Sequence, residues 1–76
     1  MRKKKPDVLR AFGLNVRELR TNRGYSQEEL ARRSRLDRTY MGGVERGERN
    51  IGLLNVCKIA VALAVSPAEL MTGING

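Results

Sequence analysis

The chain has 76 residues, with 15 basic against 8 acidic side chains, a net charge of +7, one cysteine and no histidine. A chain this short forms one small domain that buries only about 60% of its unfolded surface and gains from a partner subunit. A lone cysteine excludes an intrachain disulfide, the absence of histidine excludes a zinc site of the usual ligands, and no apolar run approaches the roughly 20 residues that span a bilayer.

Charge is unevenly distributed. Residues 1–50 hold 14 basic and 7 acidic side chains, whereas residues 51–76 hold only Lys58 and Glu69. The first part suits a polyanion and the second suits association with another apolar surface. "MRKKK" reads as a basic flexible tail over 1–6, because terminal charge runs rarely order without a partner. The charged residues that follow it deny it the apolar core of a signal peptide.

The elements follow in order. Pro6 suits a first helical turn, and apolar residues at 8, 9, 12, 16 and 19 repeat near the helical period, predicting a helix over 7–22 closed by Gly24. "SQEE" is a capping-box pattern: Ser26 caps, Glu29 reaches back, and a helix of about two turns carries Leu30, Ala31 and Ser34 inward. "RSRLD" interrupts. Asp37 caps a third helix with Met41 and Val44 inward and Gly47 at its end. Gly42 and Gly43 sit side by side inside that helix, each costing roughly 1 kcal/mol against Ala. After the loop "GERNIG", Gly52 is a weak cap for a fourth helix, "LLNVCKIAVALA", with Leu53, Val56, Ile59, Ala60 and Leu63 inward and Cys57 a small buried residue. "SPAEL" repeats the start signals with Ser66, Pro67 and Glu69, and a short fifth helix follows. Residues 72–76 are expected to fray. No stretch alternates at period 2, so the expected fold is all-α: a compact bundle of five short helices over 7–71.

Two short helices joined by a tight turn, over about 26–46 in a basic helical domain, form the pattern of a helix-turn-helix. The run "SQEELARRSRLDRTY", followed by "VERGERNI", resembles the lambda-repressor-like, Cro/C1-type helix-turn-helix proteins, and most closely the controller proteins of restriction-modification systems. The resemblance covers nearly all of residues 8–71. It implies a homodimer on double-stranded DNA, with operator half-sites about one turn apart, roughly 34 Å. It further implies that Arg38 and Thr39 read base edges, that Gly43 is a third base-facing position, and that Gln27 contacts phosphate and braces the recognition helix. Arg49 and Asn50 fall in the loop that grips the backbone, and Arg20 with Glu45 matches an ion pair tying that helix to the scaffold. Unrelated exposed charges are the other reading of that pair. The turn departs from the family pattern at Arg35, where glycine is usual because the position takes positive φ.

The chemistry of these residues is consistent with those roles. The Arg38 fork matches guanine O6 and N7, and Thr39 can touch a thymine methyl. Tyr40 either reaches DNA through its hydroxyl or packs its ring on the turn. Gly43, four residues from Thr39, lies on the same face and either allows close approach of DNA or reflects drift. Arg17, Arg33 and Arg46 are further basic residues expected at phosphates. Leu53, Leu54, Val61, Val65, Leu70 and Met71 exceed the needs of one small core and are expected at the dimer interface. The expected function is a sequence-specific transcriptional regulator, with a DNA-binding antitoxin, a phage-type repressor and a nonspecific nucleic-acid binder as the alternatives. Residues 72–76 offer little extension for a toxin. No enzymatic activity, cofactor, metal, membrane association or small-molecule effector is expected, and the cysteine usage fits the cytoplasm.

Overall fold

The computed structural model describes residues 7–74, and the basic tail expected over 1–6 lies outside them. Five helices follow one another: α1 (Asp7–Asn22), α2 (Gln27–Ser34), α3 (Arg38–Glu45), α4 (Leu53–Leu63) and α5 (Pro67–Leu70). Among the described residues there is no strand. The architecture is the expected all-α bundle.

Phe12 and Val16 supply the buried stripe of α1, with Leu19 packed at its edge. They meet Leu30 and Ala31 of α2, Met41 and Val44 of α3, Ile59, Ala60 and Leu63 of α4, and Leu70 of α5 in one core. α1 lies against α3, α2 packs on α3 and α4, and α5 closes the bundle against α4 and α1.

Local signals fix most helix ends. The Ser26 hydroxyl accepts from the Glu29 amide at 3.0 Å, and Asp37 accepts from the Tyr40 amide at 3.2 Å. Ser66 and Glu69 form the full capping box, whereas only half of the one expected at Ser26 forms. The Glu29 carboxylate turns along the helix to Arg32 and Arg33 instead. Those two hydrogen bonds, Arg32 first, hold it below the ordinary carboxylate range. Gly52 makes no side-chain cap bond.

Two helices end in a left-handed residue that is not glycine. Arg35 closes α2 at φ 58° and Ala64 closes α4 at φ 57°. The Arg35 and Leu36 amides cap the Arg32 and Ala31 carbonyls, and the Ala64 and Val65 amides do the same for Val61 and Ala60. A left-handed residue with a Cβ costs roughly 1–2 kcal/mol, so both turns are held by these paired bonds and by the packing of Leu36 and Val65 on the core.

Four expectations change. Leu53 does not point inward: it begins α4 before the helix meets the core and is 77% exposed. Cys57 is half-buried rather than buried. Leu70, expected at the dimer interface, is fully buried in the chain's own core, because the four-residue α5 has a single inward position and Leu70 fills it. Residues 72–74, expected to fray, lie against the bundle, and residues 75–76 fall outside the described residues. The Asn15 side-chain amide donates to the Leu70 carbonyl at 2.8 Å and the Thr72 carbonyl at 2.9 Å, and Ile74 packs against the core.

Candidate nucleic-acid interface

The third helix is clamped at one end and open at the other. At its carboxyl end Glu45 is buried, and its two oxygens take three donors from two other helices. Arg20 of α1 donates through Nε at 2.6 Å and Nη2 at 3.0 Å, and Gln27, the first residue of α2, donates through Nε2 at 2.9 Å. Arg20 also donates from Nη1 to the Tyr25 carbonyl at 2.8 Å. The side chains of Arg20 and Glu45 are only 11% and 2% exposed. The expected ion pair therefore forms and is buried, and Gln27 braces the recognition helix through it.

Sequence reasoning missed a second part of this clamp. Gly13, in the middle of α1, faces the end of α3 so closely that a Cβ there would lie 2.5 Å from the carbonyl oxygens of both Val44 and Glu45. Gly47, just beyond α3, has φ +75°, and a Cβ on it would lie 2.9 Å from Arg10 Cα. Backbone meets backbone where α1 and α3 cross. Two glycines separated by a whole helix-turn-helix carry no local signal of this contact, since each is read only against its own helix or turn.

At the amino end, Arg38 and Thr39 are the first two residues of α3 and are exposed. Asp37 is spent on the cap. The helix dipole puts partial positive charge at this end, beside the Arg38 guanidinium, so the tip favours an anionic partner and presents a donor fork to it. Tyr40 lies behind them, half-buried, and its hydroxyl accepts from Asn55 Nδ2 at 3.2 Å. Its ring is covered by Arg49, whose guanidinium carbon is 5.6 Å from the ring centroid. The Tyr40 ring thus lies against Arg49 in the loop after α3, and its hydroxyl is tied to α4.

The paired glycines occupy two different environments. A Cβ on Gly42 would meet Arg46 Nη1 at 3.0 Å and Gln27 Oε1 at 3.4 Å, and one on Gly43 would meet Arg49 Cγ at 3.0 Å and Nε at 3.1 Å. Gly43 is buried. Its outer face, expected to be open towards DNA, is covered by the Arg49 stem.

The remaining basic residues divide. Arg17, Arg46, Arg49 and Asn50 are exposed, and Arg46 lies 3.1 Å from Glu48. Arg33, expected at a phosphate, is held by Glu29 and stacks over the Tyr25 ring at 4.5 Å. It borders a groove between α2 and α4 that is also lined by Leu54 and Val61. Along α4, Leu54 and Val61 are 71% and 79% exposed, and Met71 beyond α5 is 44% exposed. Val65 packs partly on the core. No helix among the described residues is long and apolar enough to cross a membrane.

Five short helices carrying a braced recognition helix with a basic tip define a helix-turn-helix DNA-binding protein. The sequence profile of the helix-turn-helix family matches residues 16–70, and the chain belongs to that family. It is 55% identical to the restriction-modification controller protein C.AhdI from Aeromonas hydrophila, whose crystal structure superposes with a TM-score of 0.84 over 86% of this chain and 98% of that one. It is 48% identical over 65 residues to a hypothetical transcription factor of Neisseria meningitidis, covering 86% of this chain and spanning 61% of that protein's length. The controller protein C.Esp1396I, solved as a tetramer in complex with its natural 35-base-pair operator, superposes with a TM-score of 0.79 at 34% identity, covering 86% of each chain.

Proposed function

We propose that this chain is a sequence-specific transcriptional regulator of the restriction-modification controller type, acting as a homodimer on an operator of two half-sites. One observation carries the reading: Arg38 and Thr39 stand exposed at the tip of a helix whose other end is locked to two neighbouring helices by the Glu45 cluster. A donor fork reads guanine only if it is held in register, and a good bidentate pair discriminates by roughly 1–3 kcal/mol. The likeness to C.AhdI and the operator complex of C.Esp1396I support it.

In this reading Arg38 and Thr39 contact bases, with Tyr40 and Gly43 placed behind them on α3. Gln27, Arg17, Arg46, Arg49 and Asn50 face the phosphates. Dimerisation uses the outer face of α4 and the chain beyond α5. Leu54 and Val61 recur at helical spacing on α4, with Leu53, Val65 and Met71 beside them. Burying such a side chain fully contributes roughly 1.5–3 kcal/mol, so a few of them suffice to hold two small domains together.

The test is enrichment of duplexes from a randomised DNA library by the parent protein and by Arg38→Ala. The parent is expected to select a two-fold sequence, and the variant to lose preference at one position of each half-site. Enrichment of no sequence by the parent would sink the reading. Sedimentation of Val61→Asp is expected to show monomer where the parent is dimeric. An undisturbed dimer would move the interface off α4.

A further inference from the structure

We propose that Gly43 is a positioning residue for Arg49: the side chain absent from Gly43 leaves a seat for the Arg49 stem, and that seat holds the Arg49 guanidinium over the recognition helix for contact with DNA. The inference rests on the DNA-reading function proposed above and adds to it the residue that sets where Arg49 stands.

The observations converge from both sides of the arginine. Its stem lies against Gly43, where an added Cβ would stand 3.0 Å from Cγ, 3.1 Å from Nε and 3.5 Å from Cδ. Its guanidinium carbon lies 5.6 Å from the Tyr40 ring centroid, inside the range of about 6 Å over which a cation is attracted to an aromatic face. Tyr40 and Gly43 are three apart on α3, so they are neighbours along one face of the helix. The platform is itself anchored, by Asn55 on the Tyr40 hydroxyl. The loop backbone is hooked to the same residue, since the Glu48 amide donates to the Gly43 carbonyl at 2.8 Å.

Arg49 is an exposed loop residue, and a free arginine carries rotamer entropy that binding would have to remove. Stem, head and adjoining backbone all resting on α3 remove part of that freedom before DNA arrives. A glycine inside a two-turn helix is costly, and this arrangement gives it a use that alanine cannot supply. A methyl 3.0 Å from the stem obliges Arg49 to shift by a few tenths of an ångström from this seat, although the helix itself would gain from the substitution. The two roles considered for Gly43, close approach of DNA to the backbone and seating of Arg49, differ in whether Arg49 has to be present.

The experiment is a double-mutant cycle on the duplex best enriched by the parent protein, with Gly43→Ala measured in the parent and in the Arg49→Ala background. Gly43→Ala is expected to weaken binding about tenfold where Arg49 is present and to have no further effect where it is absent. Equal losses in both backgrounds would mean that the methyl meets DNA directly, and no loss in either would mean that the seat has no role. Either result overturns the proposal. Thermal melts without DNA give a second readout: Gly43→Ala is expected to raise Tm more in the Arg49→Ala background than in the parent. Equal shifts would show that the two residues do not touch in solution. If the parent enriches no duplex at all, the DNA-reading function fails, and the melts still decide the contact.

Discussion

Replacing Glu45 by glutamine keeps the shape of the side chain and removes its charge, which makes it a sharp probe of the clamp. The carboxylate accepts two bonds from Arg20 and one from Gln27. An amide offers a single acceptor oxygen to those three donors and turns its own NH2 towards one of them. Arg20 keeps the Tyr25 carbonyl but loses its counter-charge while only 11% exposed. Breaking a buried pair by removing one partner costs about 3–5 kcal/mol, and the retained oxygen puts Glu45→Gln near the lower end, at about 3 kcal/mol. Native domains are stable by roughly 0.05–0.15 kcal/mol per residue, so such a loss is a large fraction of the total in a chain of 76 residues. Thermal and urea unfolding measure it, with Tm expected to fall by about 4–8 °C per kcal/mol. Replacing both partners, as Arg20→Met with Glu45→Leu, is expected to recover much of the loss, because no charge is then stranded. A Glu45→Gln variant within about 1 kcal/mol of the parent would refute the reasoning, since that is the range of an exposed pair.

Gly13→Ala is expected to lower stability by about 1–3 kcal/mol in urea unfolding despite its gain in helix propensity, because the methyl meets two backbone oxygens that cannot rotate away. Arg35→Gly is expected to raise stability by up to about 1 kcal/mol in the same assay, since relief of the left-handed strain outweighs the added freedom of the unfolded chain.

Most of the fold was legible because its signals are local. Ser26, Asp37 and Ser66 cap the helices they precede, Gly24 and Gly47 take the positive φ that their positions suggested, and the apolar spacing of α1 puts Phe12 and Val16 inside. The exceptions are contacts between elements distant in the chain. Helical period places Leu53 on α4, but the core begins only at Val56, so the first turn is exposed. Leu70 resembles a surplus apolar residue until Asn15 draws the end of α5 onto α1. Glu29 has the spacing of a capping box, yet two arginines one turn away compete for its carboxylate and win. In the candidate interface, the exposed position of Arg38 and Thr39 at the start of α3 was readable from their place after the Asp37 cap. The surroundings of Gly13, Gly42 and Gly43 were not, because a glycine gives no sign of which side chain or backbone fills the space it leaves.

Gly13, Gly47 and the Glu45 cluster all grip the same end of α3, and this makes the recognition helix a cantilever. Its eight residues span about 12 Å, with the fixed root at Glu45 and the exposed tip at Arg38. A tilt of about 5° at the root carries the tip sideways by about 1 Å over that length. Substitutions at the root are thereby magnified into displacements of Arg38 and Thr39.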